Sequence, residues 1–115
     1  MPLVEISNAK GLIQKTGEGL VAVPVTQSLS PDALTIDTSC FYTQVDPAGD
    51  NRLARLEVGL EKGQLLLISN VTDNNENITF NADDFTAGDV NLEQSESILC
   101  VWNGAKWSPT SQSLI

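Results

Sequence analysis

Residues that break regular structure recur about every eight to fifteen positions along this chain, and the stretches between them are short, apolar and rich in β-branched side chains. This spacing is the pattern of an all-β sandwich or barrel. Gly11-Leu12-Ile13-Gln14-Lys15 leads through Thr16-Gly17-Glu18-Gly19 into Leu20-Val21-Ala22-Val23-Pro24-Val25, a hairpin signal whose proline suits an edge. Leu34 to Val45 reads as one long strand ending at Asp46-Pro47-Ala48-Gly49-Asp50, a strong turn. From Asn51 to Lys62, Leu53, Leu56 and Leu60 have helical spacing, but Gly59 weakens a helix and the alternation Leu56, Val58, Leu60 favours a strand with a bend. Gln64 to Val71 is a nearly continuous apolar run, expected as a central strand covered on both faces. Asn77-Ile78-Thr79-Phe80-Asn81 alternates as a half-buried strand does. The expectation is an antiparallel β-sandwich, jelly-roll-like, of about eight strands, with residues 1–10 as an N-terminal arm and 11–115 as one domain.

Charge and composition narrow the function. The 115 residues carry 15 Asp and Glu against 6 Lys and Arg, a net charge of -9. A nucleic-acid phosphate backbone repels such a surface, and no basic cluster exists to track it, so no nucleic-acid partner is expected. No stretch approaches the roughly 18 apolar residues of a membrane span, and Met1 to Gln14 is not a secretory leader. A soluble chain made without export is therefore expected, with no membrane partner. Cys40 and Cys100 then read as small buried side chains, a single bridge remaining open. The sequons at Asn70 and Asn77 read as ordinary turn and strand residues.

Catalysis is constrained by what is missing. The chain has no histidine, which removes Ser-His and Cys-His dyads, proton shuttles and histidine zinc sites. No GxGxxG, Walker-type or GxSxG motif appears. Carboxylate pairs could serve a glycosidase, but nothing selects a pair among 15; no enzymatic activity and no cofactor are expected. Asp73-Asn74-Asn75-Glu76-Asn77 and Asn81-Ala82-Asp83-Asp84 are oxygen-rich, yet the sixth position from Asp73 is Ile78 where an EF-hand loop needs glycine. They read as solvated loops, with no metal assigned.

Both tryptophans flank Asn103-Gly104, a strong hairpin signal. A type I′ turn there would pair Trp102 with Ala105, Val101 with Lys106 and Cys100 with Trp107. Ile98, Cys100, Trp102, Ala105 and Trp107 would share one face and Leu99, Val101 and Lys106 the other, with the tryptophans as diagonal neighbours. Apolar company on the tryptophan face favours packing over ligand stacking. A terminal hairpin apolar on both faces needs cover on both, which marks a protein interface.

Four pieces of the second half resemble structural proteins of tailed phages, especially those of marine and cyanobacterial hosts. They are Leu56-Glu57-Val58-Gly59-Leu60-Glu61-Lys62-Gly63-Gln64, Leu65-Leu66-Leu67-Ile68-Ser69-Asn70, Asn77-Ile78-Thr79-Phe80 and Val101-Trp102-Asn103-Gly104-Ala105-Lys106-Trp107. The resemblance implies a small virion β-sandwich that assembles as a homotrimer, serving as a capsid decoration (cement) protein or as part of a tail or head fibre. A chain starting at Met1 without a repetitive stalk looks more like decoration, placed on the capsid surface against the major capsid protein. On this reading Leu99, Val101, Trp102 and Trp107 form the intersubunit face, and Pro2, Leu3, Val4 and Ile6, with Glu5 between them, dock on the capsid. A fibre-type receptor- or carbohydrate-binding module is the alternative that the tryptophans keep open, and their exposure discriminates the two.

Overall fold

A computed structural model of the chain describes residues 3–7, 11–16, 22–88 and 90–114. Among them there is no helix. Eleven strands form: β1 (Leu3–Ser7), β2 (Gly11–Thr16), β3 (Pro24–Ser28), β4 (Thr35–Ile36), β5 (Tyr42–Asp46), β6 (Arg52–Leu56), β7 (Leu65–Asn70), β8 (Ile78–Phe80), β9 (Val90–Leu92), β10 (Glu96–Trp102) and β11 (Trp107–Leu114). A five-stranded sheet in the order β11-β10-β7-β5-β3 and a four-stranded sheet in the order β4-β6-β8-β9 make the sandwich. β1 and β2 pair as a separate antiparallel hairpin.

The expected two-sheet all-β fold is present, but its pairing is mixed rather than antiparallel. From β3 to β8 the chain changes sheet at every connection. Alternate strands therefore run the same way, and β3·β5, β5·β7, β4·β6 and β6·β8 are all parallel. Parallel neighbours need a crossover, and here a strand of the opposite sheet supplies it. Only the later pairs, β8·β9, β7·β10 and β10·β11, are antiparallel within the sandwich. Leu34 to Val45 is correspondingly two strands, because the chain leaves one sheet after Ile36 and enters the other at Tyr42. The turn expected over Gly17 to Gly19 lies outside the described residues; among those described, β2 pairs with β1 and β3 joins β5.

The central run behaves as its composition requires. β7 lies between β10 and β5, with Leu66 and Ile68 fully buried. The inner faces bring Val45, Ile98, Cys100 and both tryptophans against Ile36, Ala54, Leu56, Ile78, Phe80, Val90 and Leu92. Phe85 closes on Phe80 with ring centroids 5.4 Å apart. The Asn51 to Lys62 segment is a strand through Leu56 and an irregular loop after it, so Leu56 is buried while Val58 and Leu60 are exposed.

At the C-terminal end of β7 a polar side chain joins the sheets. Asn70 is fully buried, its Nδ2 donating to the carbonyls of Glu76 (2.9 Å) and Leu92 (3.0 Å) and its Oδ1 accepting from the Thr72 N–H (3.1 Å). Thr72 Oγ1 donates to Glu76 Oε1 at 2.7 Å and closes the turn. The asparagine of the first sequon is thus an internal tie. Replacing Asn70 with Ala strands two carbonyls and an N–H in the interior. It should lower the unfolding free energy by about 2 to 4 kcal/mol in urea titrations, while Asn74→Ala in the exposed turn changes it by less than about 0.5 kcal/mol.

Candidate functional site

The closing hairpin is built by its asparagine. Asn103 Oδ1 accepts from the N–H groups of Ala105 (2.8 Å) and Lys106 (2.7 Å), and Asn103 N–H donates to the Lys106 carbonyl at 3.0 Å. Gly104 takes φ 100°, but Asn103 is not in the left-handed region, so the loop spans four residues instead of the two of a type I′ turn. Trp102 consequently pairs with Trp107 directly and Val101 with Ser108, a shift of two positions from the sequence expectation. An even shift preserves faces. Ile98, Cys100, Trp102 and Trp107 are buried as expected, and Leu99 and Val101 turn outward and are half-buried.

The tryptophans face the interior of their own subunit. Trp102 is 7% and Trp107 1% exposed, with ring centroids 5.2 Å apart and planes tilted by 59°. Trp107 Nε1–H donates to the Glu57 carbonyl at 2.9 Å. Its backbone N–H donates to the Asp84 carbonyl, and its carbonyl accepts from Thr86 N–H. Gly59 lies directly on the Trp102 indole, where a Cβ would overlap Cγ, Cδ1 and Cδ2. A glycine that weakened a helix on sequence grounds is needed for close approach. The loop carrying it is held by Gln64, which accepts from Leu60 N–H (2.7 Å) and donates to the Thr38 carbonyl (2.8 Å).

Beside this hairpin lies a pocket of about 220 Å³ lined by Arg55, Leu56, Glu57, Val58, Asp83, Asp84, Trp102, Ala105 and Trp107. Arg55 donates through Nε and Nη2 to Asp84 Oδ2 (2.9 Å) and Oδ1 (3.1 Å), a bidentate pair, and Leu56 N–H donates to the same Oδ2 at 2.9 Å. The hydrogen bonds and charge of Asp84 raise the Arg55 guanidinium above its ordinary range. The Asp84 side chain is 10% exposed and that of Arg55 50%, so the cation is held from below and presents its outer edge to solvent. Asp84, weighed from sequence only as an oxygen donor in a loop, is taken up by this pair. Among the described residues no three His, Cys, Asp or Glu side chains gather as a metal site.

The structure separates the residues expected at the intersubunit face. Trp102 and Trp107 line the pocket from inside, whereas Leu99 and Val101 lie on the outward face opposite Leu67 and Leu65 of β7. Of the expected docking residues, Leu3, Val4 and Ile6 belong to β1, which is paired along its length, and Pro2 lies outside the described residues. Sequence reasoning missed Arg55 and the Glu57 carbonyl. Nothing local marks either one, because each acquires its role from a partner distant in the chain.

The fold is that of a phage β-sandwich module: residues 22–108 match the model of the phage depolymerase C-terminal beta sandwich domain. The chain belongs to that family. No curated protein matches it.

Two measurements check the packing. Gly59→Ala should cost about 1 to 3 kcal/mol of stability, since the indole beneath must move, and should shift the tryptophan emission maximum. Burial pushes the Cys100 thiol from 9.0 up to about 12, and both cysteines are free. A thiol reagent at neutral pH should modify the half-buried Cys40 in the native protein and both cysteines in denaturant. The neutral Cys100 thiol favours the folded state fully below pH 9.0, and this contribution is lost as pH rises toward about 12. Alkaline denaturation curves should therefore flatten in Cys100→Ala over that window.

Proposed function

We propose that the chain is a non-catalytic β-sandwich module of a tailed-phage attachment structure, fibre-like or depolymerase-associated, working as a homotrimer. The observation that carries this reading is the match of residues 22–108 to a domain that phage depolymerases bear at their C-terminal end, on a chain without histidine. Of the two virion settings expected from sequence, capsid decoration and fibre, the depolymerase kinship favours the second. A terminal β-sandwich in such an assembly works by holding identical chains together and by presenting several copies of one surface at once.

Geometry supports assembly through the outward face of the β10–β11 hairpin. Leu99 stands opposite Leu67 and Val101 opposite Leu65, which is 48% exposed. This is an apolar square on the sheet's second face, flanked by Ser108 of β11. A threefold arrangement buries such a patch against a neighbour at no cost in unpaired charge. The paired β1–β2 segment, with Leu3, Val4 and Ile6, is the proposed contact to the rest of the virion.

Sedimentation velocity on the purified chain at micromolar concentration should give a trimer, and a monomer would overturn the assembly claim. Leu99→Asp should raise the dissociation constant by about tenfold or more without unfolding the subunit. Counting copies per purified particle separates the settings, because hundreds would indicate capsid decoration and a few would indicate a fibre.

A further inference from the structure

We infer that the chain modifies itself at Asn103: the main-chain nitrogen of Gly104 closes on the Asn103 side chain, ammonia leaves, and water opens the ring to an acidic residue. The closing loop meets each requirement of that chemistry. The nucleophile is available, since the Gly104 N–H donates to no group among the described residues, and nothing stands within 4 Å of where a Cβ would lie. The electrophile is polarised, because Asn103 Oδ1 accepts from the N–H groups of Ala105 (2.8 Å) and Lys106 (2.7 Å). Both donors stay aimed at that oxygen as Cγ becomes tetrahedral and negative charge builds on it, the arrangement that stabilises an oxyanion. Water and hydroxide reach the site, as Asn103, Gly104, Ala105 and Lys106 are all exposed.

Hydroxide removes the Gly104 amide proton, and the nitrogen forms a bond to Asn103 Cγ. The Cγ–Nδ2 bond then breaks and the side-chain amide departs as ammonia, leaving a cyclic imide. Water adds to one of its carbonyls. Opening at Cγ restores the ordinary main chain with an aspartyl side chain, whereas opening at the main-chain carbonyl gives an isoaspartyl linkage that runs through Cβ and Cγ. Glycine matters because a Cβ on the attacking residue would crowd the closing ring. Every other asparagine in the sequence precedes a residue that has one. Asn70 is further barred by burial and by the bonds its amide makes to Glu76, Leu92 and Thr72. The products differ in consequence. The aspartyl form keeps an acceptor for Ala105 and Lys106 and adds negative charge to a chain already at -9. The isoaspartyl form draws the Cγ carbonyl into the main chain and lengthens the loop, which loosens the pairing of Trp102 with Trp107.

The test is incubation of the purified chain at mildly alkaline pH, native and in denaturant, followed by peptide mass mapping, ammonia release and labelling by an isoaspartyl methyltransferase. The peptide holding Asn103 should convert before any other asparagine peptide. Its native rate should lie within about tenfold of the rate in denaturant, since an exposed loop has little opening cost. Both rates should rise with pH. Asn103→Asp should release no ammonia from this peptide and keep the parent's melting temperature, while the isoaspartyl fraction of aged protein should melt lower. Gly104→Ala, compared in denaturant where folding plays no part, should convert more slowly, on the order of tenfold. Earlier conversion at another asparagine, undiminished conversion in Gly104→Ala, or a native rate more than about tenfold below the denatured one would each overturn the inference.

Discussion

Trp107 holds the two sheets together at one end of the molecule, and the rest of that end is arranged around it. Its N–H and carbonyl pair with Asp84 and Thr86 in the loop between β8 and β9, and its indole N–H reaches Glu57 just past β6. Its ring packs on Trp102, which Gly59 covers. One residue at the start of the last strand thus fastens two connections of the four-stranded sheet, the loops that follow β6 and β8. An indole buried to this degree contributes roughly 4 to 6 kcal/mol by area alone, an upper bound that assumes a fully extended unfolded chain. The hydrogen bond to Glu57 removes the penalty that a buried N–H would otherwise carry.

The opposite end of β7 solves the same problem with polar chemistry. Asn70 ties the end of β7 to the neighbouring segments through its side-chain amide, bonding Glu76, Leu92 and Thr72. Such a knot has directional demands that an apolar contact lacks, and it sets how the sheets are aligned along the strands. Between the two ties the chain passes from sheet to sheet, so each crossing adds inner-face residues to a common core instead of completing one sheet before beginning the other.

This arrangement separates the roles that the hairpin could have played. The inward face is committed to holding the sandwich, which places the tryptophans behind the pocket and not on a surface platform. The outward face carries Leu99 and Val101, both half-buried. The ion pair of Arg55 and Asp84 connects the structural part to the exposed part, because the carboxylate that caps Leu56 N–H also orients the guanidinium at the pocket rim.

Much of the fold was legible because periodicity is a local property. The apolar run of Leu65 to Ile68, the alternation at Ile78 to Phe80 and the breaks at Asp46 to Asp50 gave strands, faces and turns without any knowledge of neighbours. Even the displaced hairpin register kept Ile98, Cys100, Trp102 and Trp107 inside, since a shift of two leaves the alternation intact, and of the five residues expected on that face Ala105 alone moved out, into the exposed loop. Which strands lie side by side depends on how connections cross, and a period-two pattern is the same for parallel and antiparallel partners; the mixed pairing was therefore invisible. The Arg55–Asp84 pair was hidden for a related reason, as its members stand far apart in sequence and neither belongs to a motif. Amino-acid order by itself determined the all-β class, the inner and outer faces of the last hairpin and the exclusion of histidine chemistry. Only the tertiary structure decided that the tryptophans serve their own subunit and that a pocket opens beside them, because both follow from where distant backbone carbonyls and carboxylates come to rest.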